Sequence, residues 1–170
     1  MSRRASSLVA LSLVALFGAP SPVGAAPCWR PPVAGVVTDP FREPPCPYCA
    51  GNRGLEYRVA ARTAVRAVAS GSVSWVGSIA GTTYVVVRHT NGWRATYGRL
   101  EVTSVDVGDA VLAGTTVGRA SGAFYFGLRV GQRYVDPAPH LGELRGRPRL
   151  VPTDDRAARP APPSRWRCGA

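Results

Sequence analysis

The stretch TTYVVVRHTNGWRATYGRL, residues 82–100, places a tight-turn dipeptide between two runs of strand-forming residues. Both runs are short and rich in β-branched and aromatic residues, which are enriched in strands. Asn91-Gly92 stands between them, and Asn-Gly is the strongest short-range signal for a β-hairpin because such turns need positive φ. The stretch therefore predicts two antiparallel strands joined by a tight turn.

Similar runs, each broken by glycine, continue on both sides of this hairpin. They are AVRAVASG (64–71), SVSWVGSIAG (72–81), VTSVDVGDAVLAG (102–114), TTVGRASG (115–122) and AFYFGLRVGQRYV (123–135). Turn signals every eight to twelve residues, with no convincing helical period, predict an all-β fold. We expect a compact antiparallel sheet of barrel-sandwich type, with glycines at positive φ in the VDVGDAVLAG turns.

The N-terminal residues have the order of a secretory signal peptide. Arg3 and Arg4 precede the apolar run LVALSLVALFGAP (8–20), and the small residues VGAA (23–26) follow it. Residues 1–26 are therefore predicted to be a signal peptide, with a retained N-terminal anchor as the alternative. The run is short for a bilayer span, so we expect a secreted or extracytoplasmic, cell-wall-associated protein without a transmembrane segment in the mature chain.

The 170-residue chain has room for one domain, predicted at residues 27–145, followed by a Pro/Arg-rich tail at 146–170. The tail composition predicts a disordered or extended segment, although Trp166 and Cys168 suggest that its end is held. The formal net charge is +11 and every basic residue is arginine. That charge favours anionic wall polymers or lipid headgroups as partners. Nucleic acid is not an expected partner, because an exported protein is separated from cellular nucleic acid. The sequence also contains no motif for reading a DNA or RNA groove.

An even number of cysteines in an exported chain predicts two disulfide bonds. The favoured pairing is local plus terminal, Cys46 with Cys49 and Cys28 with Cys168. A redox site is the alternative for CPYC (46–49), although thiol oxidoreductase motifs open a helix and this one lies among prolines and glycines. A structural zinc site would need a second cysteine pair of the same spacing, which the sequence lacks.

Residues 32–141 resemble the lysostaphin/LytM-type zinc endopeptidases, which cut peptidoglycan cross-bridges. The resemblance rests on five segments in the family order. These are VAGVVTDPF (33–41), AVRAVASGSVSWVG (64–77), YVVVRHTNGWRATYGRL (84–100), VDVGDAVLAGTTVGRASG (105–122) and FGLRVGQRYVDP (126–137). The resemblance implies the LytM-like β fold, also known as the duplicated hybrid motif, in a degenerate member of the family.

The family motifs align with residues that differ from the usual zinc ligands and catalytic histidines. The first metal motif, H-x-G-x-D, matches Asn52 to Glu56 in GNRGLEY (51–57), and the third ligand position matches Tyr125. The two catalytic histidines match Arg99 and Ala123. Because a catalytic zinc ion needs three strong donors and an open position, the resemblance implies that no zinc and no other cofactor is bound.

Several further site hypotheses stay open at the level of sequence. The possible groove residues are Arg53, Trp93, Tyr97, Arg99 and Tyr125, with Trp75 and Phe126 as further aromatic candidates and Arg58 and Arg94 as further members of a basic rim. Cross-strand core pairing is the competing explanation for the aromatic residues. Glu56 with Asp39 is a possible acid/base pair, and His89 with His140 a possible relocated metal site.

These observations predict an exported, catalytically inactive module that binds the cell wall or regulates its hydrolases. The expected partner is peptidoglycan or a cell-wall hydrolase, as the resemblance to metal-free relatives that activate amidases implies. The alternative is an active zinc endopeptidase that cuts peptidoglycan cross-bridges with non-standard ligands.

Overall fold

The computed structural model describes residues 28–145, 160 and 165–168. The predicted signal peptide and most of the predicted tail lie outside these residues. The strands are β1 Val36–Asp39, β2 Leu55–Arg66, β3 Gly71–Ile79, β4 Thr82–His89, β5 Trp93–Thr103, β6 Ala110–Val111, β7 Thr116–Val130, β8 Arg133–Val135, β9 Glu143–Arg145 and β10 Arg165–Arg167. A single 3₁₀ turn, Ala138–His140, is the one helical element of the described residues, and no helix there is long and apolar enough to cross a membrane.

Strands β1 to β8 form one antiparallel sheet in the order β1-β2-β7-β5-β4-β3-β6, with β8 paired to β7. The expected all-β, antiparallel fold is therefore confirmed. The hairpin predicted at Asn91-Gly92 joins β4 to β5, and the N–H of Gly92 donates to the carbonyl of His89 at 3.0 Å. Gly92, Gly108 and Gly114 all have positive φ, as the turn signals predict.

Alternation along the central strands separates a buried face from an exposed one. Phe124, Phe126 and Leu128 of β7 are fully buried, and so are Ala95 and Tyr97 of β5. Full burial of an aromatic or aliphatic side chain contributes about 1.5–3 kcal/mol, so these strands anchor the fold. The intervening residues of β7 point to the opposite face, which carries the candidate site.

The two ends of the domain are tied to each other. Cys28 is bonded to Cys168, and β9 pairs with β10, so the end of the tail is held as expected. The N–H of Trp29 donates to the His140 carbonyl at 2.8 Å, and the Trp29 carbonyl accepts from Gly142 at 2.7 Å. The N-terminal segment is therefore fixed to the end of the sheet by covalent and backbone bonds.

The second disulfide, Cys46–Cys49, closes a turn at the tip of the loop between β1 and β2. The Cys49 N–H donates to the Cys46 carbonyl at 3.1 Å, and Arg53 donates to the Pro47 carbonyl at 2.6 Å. The loop leads into strand β2 and not into a helix. This arrangement matches the stapled-loop interpretation of CPYC.

Candidate functional site

The exposed face of the sheet carries a pocket of about 700 Å³ where β2, β4, β5 and β7 lie side by side. The strand register places Tyr84, Gly98, Tyr125 and Glu56 in one row across these four strands. The charged and aromatic side chains of the pocket, with Ala123, are Arg53, Glu56, Tyr84, Arg99, Ala123 and Tyr125. Four of the five positions that align with the family's metal and catalytic residues therefore meet in one pocket.

An ion pair lies inside this pocket. The Arg99 guanidinium contacts the Glu56 carboxylate with an Nη2–Oε2 distance of 2.8 Å. Arg99 sits in a bulge between Gly98 and Leu100, where the register of β5 against β7 shifts. Its φ of 60° is left-handed, which costs a non-glycine residue roughly 1–2 kcal/mol. Against β4, Arg99 is an extra residue, because Gly98 pairs with Tyr84 and Leu100 pairs with the adjacent Thr83.

Asn52, the remaining aligned position, is buried and does not line the pocket. Its amide nitrogen donates to the carbonyls of Asp39 at 3.3 Å and Pro40 at 3.0 Å. Its amide oxygen accepts the Gly54 N–H at 3.3 Å. The side chain thus fastens the loop after β1 to the start of β2, and its hydrogen-bonding groups are occupied.

The Tyr125 ring lies against backbone where only glycine leaves room for it. A Cβ on Gly54 would fall 2.8 Å from the ring, and a Cβ on Gly127 would fall 2.6 Å from the hydroxyl. The Tyr84 ring meets it edge-on, with centroids 6.3 Å apart. Burial raises the pKa of Tyr125 well above its usual value, and the nearby Tyr134 and Glu56 act in the same direction. The phenol therefore stays protonated.

The side chains at the aligned metal positions do not fit a zinc ion. Protein zinc ligands are thiolates, neutral imidazoles and carboxylates, each with a lone pair free to bind the metal. Asn52 offers a neutral amide already used in the loop, Tyr125 a protonated phenol, and Glu56 a carboxylate bound to a guanidinium. Among residues 28–145, 160 and 165–168, no three His, Cys, Asp or Glu side chains are grouped so as to hold a metal ion.

Two of the predicted groove residues lie elsewhere in the structure. Tyr97 is fully buried, and its hydroxyl accepts the Val68 N–H at 2.9 Å, so its assignment to the groove was wrong. Trp93 packs against Trp29 and His140 and does not line the pocket, which corrects that assignment as well. Phe126 is also in the core. Alternation along β5 and β7 turns these aromatic residues inward.

The two histidines lie near each other but outside the pocket. The rings of His89 and His140 both contact Trp29, with centroid distances of 5.4 Å and 6.5 Å. His89 is buried with its Nδ1 atom 3.1 Å from the Ser70 carbonyl, and burial lowers its pKa. This arrangement is an aromatic cluster around the N-terminal segment.

Asp39 and Glu56 are neighbours across β1 and β2, which the sequence could not establish. Each carboxylate is bound to its own arginine, Asp39 to Arg42 and Glu56 to Arg99. The hydrogen bonds from Arg42 lower the pKa of Asp39 below its usual range. Asp39 therefore stays ionised and cannot act as the acid of an acid/base pair.

Sequence reasoning missed Tyr84 as a pocket residue. Its outward side chain lies over Gly98, where a Cβ would fall 2.4 Å from its ring. The available signal was the register of the hairpin, because a tight turn at Asn91-Gly92 pairs Tyr84 with the glycine of YGRL.

One protein-family profile and several solved structures are similar to this chain. The profile described as "Peptidase family M23" matches residues 50–137. A search of curated proteins finds no significant match. Among solved structures, Helicobacter pylori Csd3 is 21% identical with a TM-score of 0.61, covering 69% of this chain and 34% of Csd3. The chain thus spans about a third of the length of Csd3.

Two further structures match as isolated catalytic domains. A mutant of the catalytic domain of the prophage-encoded M23 protein EnpA from Enterococcus faecalis is 27% identical with a TM-score of 0.54. The match covers 64% of this chain and 95% of that domain. The catalytic domain of the antimicrobial peptidase lysostaphin from Staphylococcus simulans is 20% identical with a TM-score of 0.53, covering 62% and 90%.

Proposed function

The chain belongs to peptidase family M23, and we propose that it is a non-enzymatic member that binds peptidoglycan or regulates a cell-wall hydrolase. The observation that carries this proposal is the Glu56–Arg99 ion pair. It occupies the positions of an acidic metal ligand and a catalytic histidine in the family motifs. A guanidinium carries a permanent positive charge, so it repels a divalent cation and cannot serve as a general base.

The pocket retains chemistry suited to a peptide. Arg99 can bind a carboxylate, Glu56 can bind an ammonium group, and the Tyr84 and Tyr125 rings supply apolar walls. Peptidoglycan stem peptides carry both kinds of charged group. Binding such a peptide needs only these contacts, whereas cleavage would also need an activated water and stabilisation of the oxyanion.

An extracytoplasmic location is part of the proposal. The two disulfides support it, because disulfides persist in oxidising compartments outside the cytoplasm. Membership of peptidase family M23 supports it as well. The predicted signal peptide would provide the route of export.

Co-sedimentation with purified peptidoglycan sacculi tests the proposal. We expect the wild type to sediment with sacculi and to release no soluble fragments, with or without added zinc. The Glu56→Ala/Arg99→Ala double variant should bind at least about tenfold more weakly, because it loses both charge-assisted contacts to the ligand. The Arg62→Ala/Glu101→Ala variant removes an exposed ion pair outside the pocket and should bind like the wild type.

One result would contradict the proposal, and another would exclude its wall-binding half. Zinc-dependent release of soluble fragments would establish the alternative, an active endopeptidase with non-standard ligands, which the 27% identity to a catalytic domain favours. If the wild type does not sediment with sacculi, wall binding is excluded. A cell-wall hydrolase then remains as the partner, and activation of a hydrolase by this protein would be the test.

A further inference from the structure

Three arginines stand directly opposite one another on adjacent strands of the exposed sheet face. Arg88 of β4 pairs in register with Arg94 of β5, and Arg94 pairs with Arg129 of β7. Directly opposed like charges destabilise a sheet, and here the repulsion acts across two successive pairs. Such a row costs stability unless a ligand or a neighbouring group offsets the charge.

No carboxylate offsets it among the described residues. The ion pairs found there involve Arg42, Arg62, Arg99 and Arg133, and none of them includes this row. The groups that hold the row are neutral. Arg94 donates to the Gly131 carbonyl, and Arg129 donates to Gln132 Oε1 at 2.7 Å with its guanidinium 4.8 Å from the Tyr134 ring centroid. These contacts hold the Arg94 and Arg129 guanidiniums in position but do not neutralise their charge.

The row borders a second depression of about 270 Å³. It is lined by all three arginines together with Trp75, Thr96 and the hydroxyl-bearing Ser74. Trp75 is 37% exposed, which is unusual for so large an apolar ring and leaves part of it open to a ligand. The depression therefore combines guanidiniums, hydroxyls and an aromatic surface.

This second site lies on the same face as the Glu56–Arg99 pocket. Along β7, Arg129 is four residues beyond Tyr125, which corresponds to about 13 Å at the rise of a strand. Between them the Tyr125 side chain extends over Gly127 toward Arg129, with its hydroxyl 2.6 Å from where a Gly127 Cβ would fall. A long ligand lying along the strands would therefore meet both sites.

We propose that this depression is a binding site for an anionic glycan, a sugar polymer bearing carboxylate or phosphate groups. The guanidiniums bind the anionic groups, and Arg is suited to this because its planar donors match carboxylate and phosphate oxygens. The Trp75 ring packs on a sugar face while Ser74 and Thr96 exchange hydrogen bonds with hydroxyls. The site uses none of the residues of the Glu56–Arg99 ion pair, so its test can fail without contradicting the function proposed above.

Fluorescence anisotropy with labelled oligogalacturonate, a carboxylated glycan, tests this site on the full disulfide-bonded protein. We expect saturable binding that weakens with added salt, and no binding of uncharged dextran oligomers. Arg88→Gln and Arg94→Gln should each weaken binding about tenfold or more, and Trp75→Ala should weaken it as well. Arg119→Gln removes the same charge from the other end of β7 and should leave binding unchanged.

Inorganic polyphosphate separates a glycan site from a purely electrostatic one. If polyphosphate binds as tightly as oligogalacturonate and Trp75→Ala changes neither affinity, the glycan assignment is overturned. If Arg119→Gln and Arg88→Gln lose affinity equally, the ligand does not bind specifically at the depression lined by the three arginines. The Glu56→Ala/Arg99→Ala variant should lose less affinity for oligogalacturonate than Arg88→Gln does, and a larger loss would place the ligand in the other pocket. A cooperative thermal unfolding transition in each variant verifies that it is folded.

Discussion

At the scale of single residues, Asn52 holds the loop after β1 in place. The buried Asn52 side chain makes three hydrogen bonds, so Asn52→Ala removes a partner from two backbone carbonyls and one backbone N–H. We expect a loss of about 1–3 kcal/mol in the free energy of unfolding, measured by urea titration. Asn91→Ala is the control, because the exposed Asn91 side chain accepts one N–H at the surface. Equal losses in the two variants would contradict the structural role given to Asn52.

The Glu56–Arg99 ion pair is expected to contribute little to stability. The Arg99 side chain is 46% exposed, and solvent screens the attraction in such a pair. A double-mutant cycle with Glu56→Gln and Arg99→Gln should therefore give a coupling energy below about 1 kcal/mol. A coupling energy of several kcal/mol would show that the ion pair stabilises the fold. Its presence in the pocket would then be explained by stability and not by ligand binding.

At the scale of strands, the sequence predicted the hairpin and the all-β class but not which side chains face outward. In AFYFGLR, the residues Phe124 and Phe126 are buried while Tyr125 lies in the pocket. The two-residue repeat of a strand shows that alternate side chains lie on opposite faces of the sheet. Which of the two faces forms the core depends on the partner strands. The bulge at Arg99 and the alignment of the three arginines depend on register between distant strands, which no local pattern contains.

The cluster where β4 ends near the N-terminal segment should make stability depend on pH. Burial lowers the pKa of His89 in the folded state below that of the unfolded chain. The unfolded chain therefore binds the proton more readily, and stability is lost as the pH falls through and below about 6.5. Urea midpoints at about pH 7.5 and 5.5 should fall further for the wild type than for His89→Gln, because glutamine does not titrate in this range. Identical decreases would contradict this assignment.

At the scale of the whole molecule, the two disulfides should differ in their contribution to stability. Cys28 and Cys168 are 140 residues apart, whereas Cys46 and Cys49 are separated by three. In the chain-entropy model the long closure stabilises the fold by about 5 kcal/mol and the short one by about 2 kcal/mol. We expect Cys28→Ser/Cys168→Ser to lower the urea midpoint more than Cys46→Ser/Cys49→Ser. The reverse order would contradict the view that the terminal disulfide holds the domain ends together.

The candidate site as a whole was only partly predictable. The family motifs align Glu56, Arg99, Ala123 and Tyr125 with one metal and catalytic site, and all four residues line one pocket. Tyr97 was misassigned because aromatic residues in a strand are compatible with either face. The disagreement between the family's zinc motifs and this donor set was visible in the sequence. The bond between Glu56 and Arg99 was not, because it depends on a backbone bulge.

Zinc binding by the purified wild type distinguishes a replaced metal site from a working one. The measurement is zinc content by elemental analysis after equilibration with excess zinc at neutral pH and dialysis. We expect no stoichiometric zinc and a thermal midpoint unaffected by chelators, because the guanidinium of Arg99 is bound to the only carboxylate at the aligned positions. The variant Asn52→His/Glu56→Asp/Arg99→His/Ala123→His/Tyr125→His serves as the positive control and should retain zinc. One zinc ion per wild-type chain, removable by chelator with loss of stability, would show that the wild type has a working metal site.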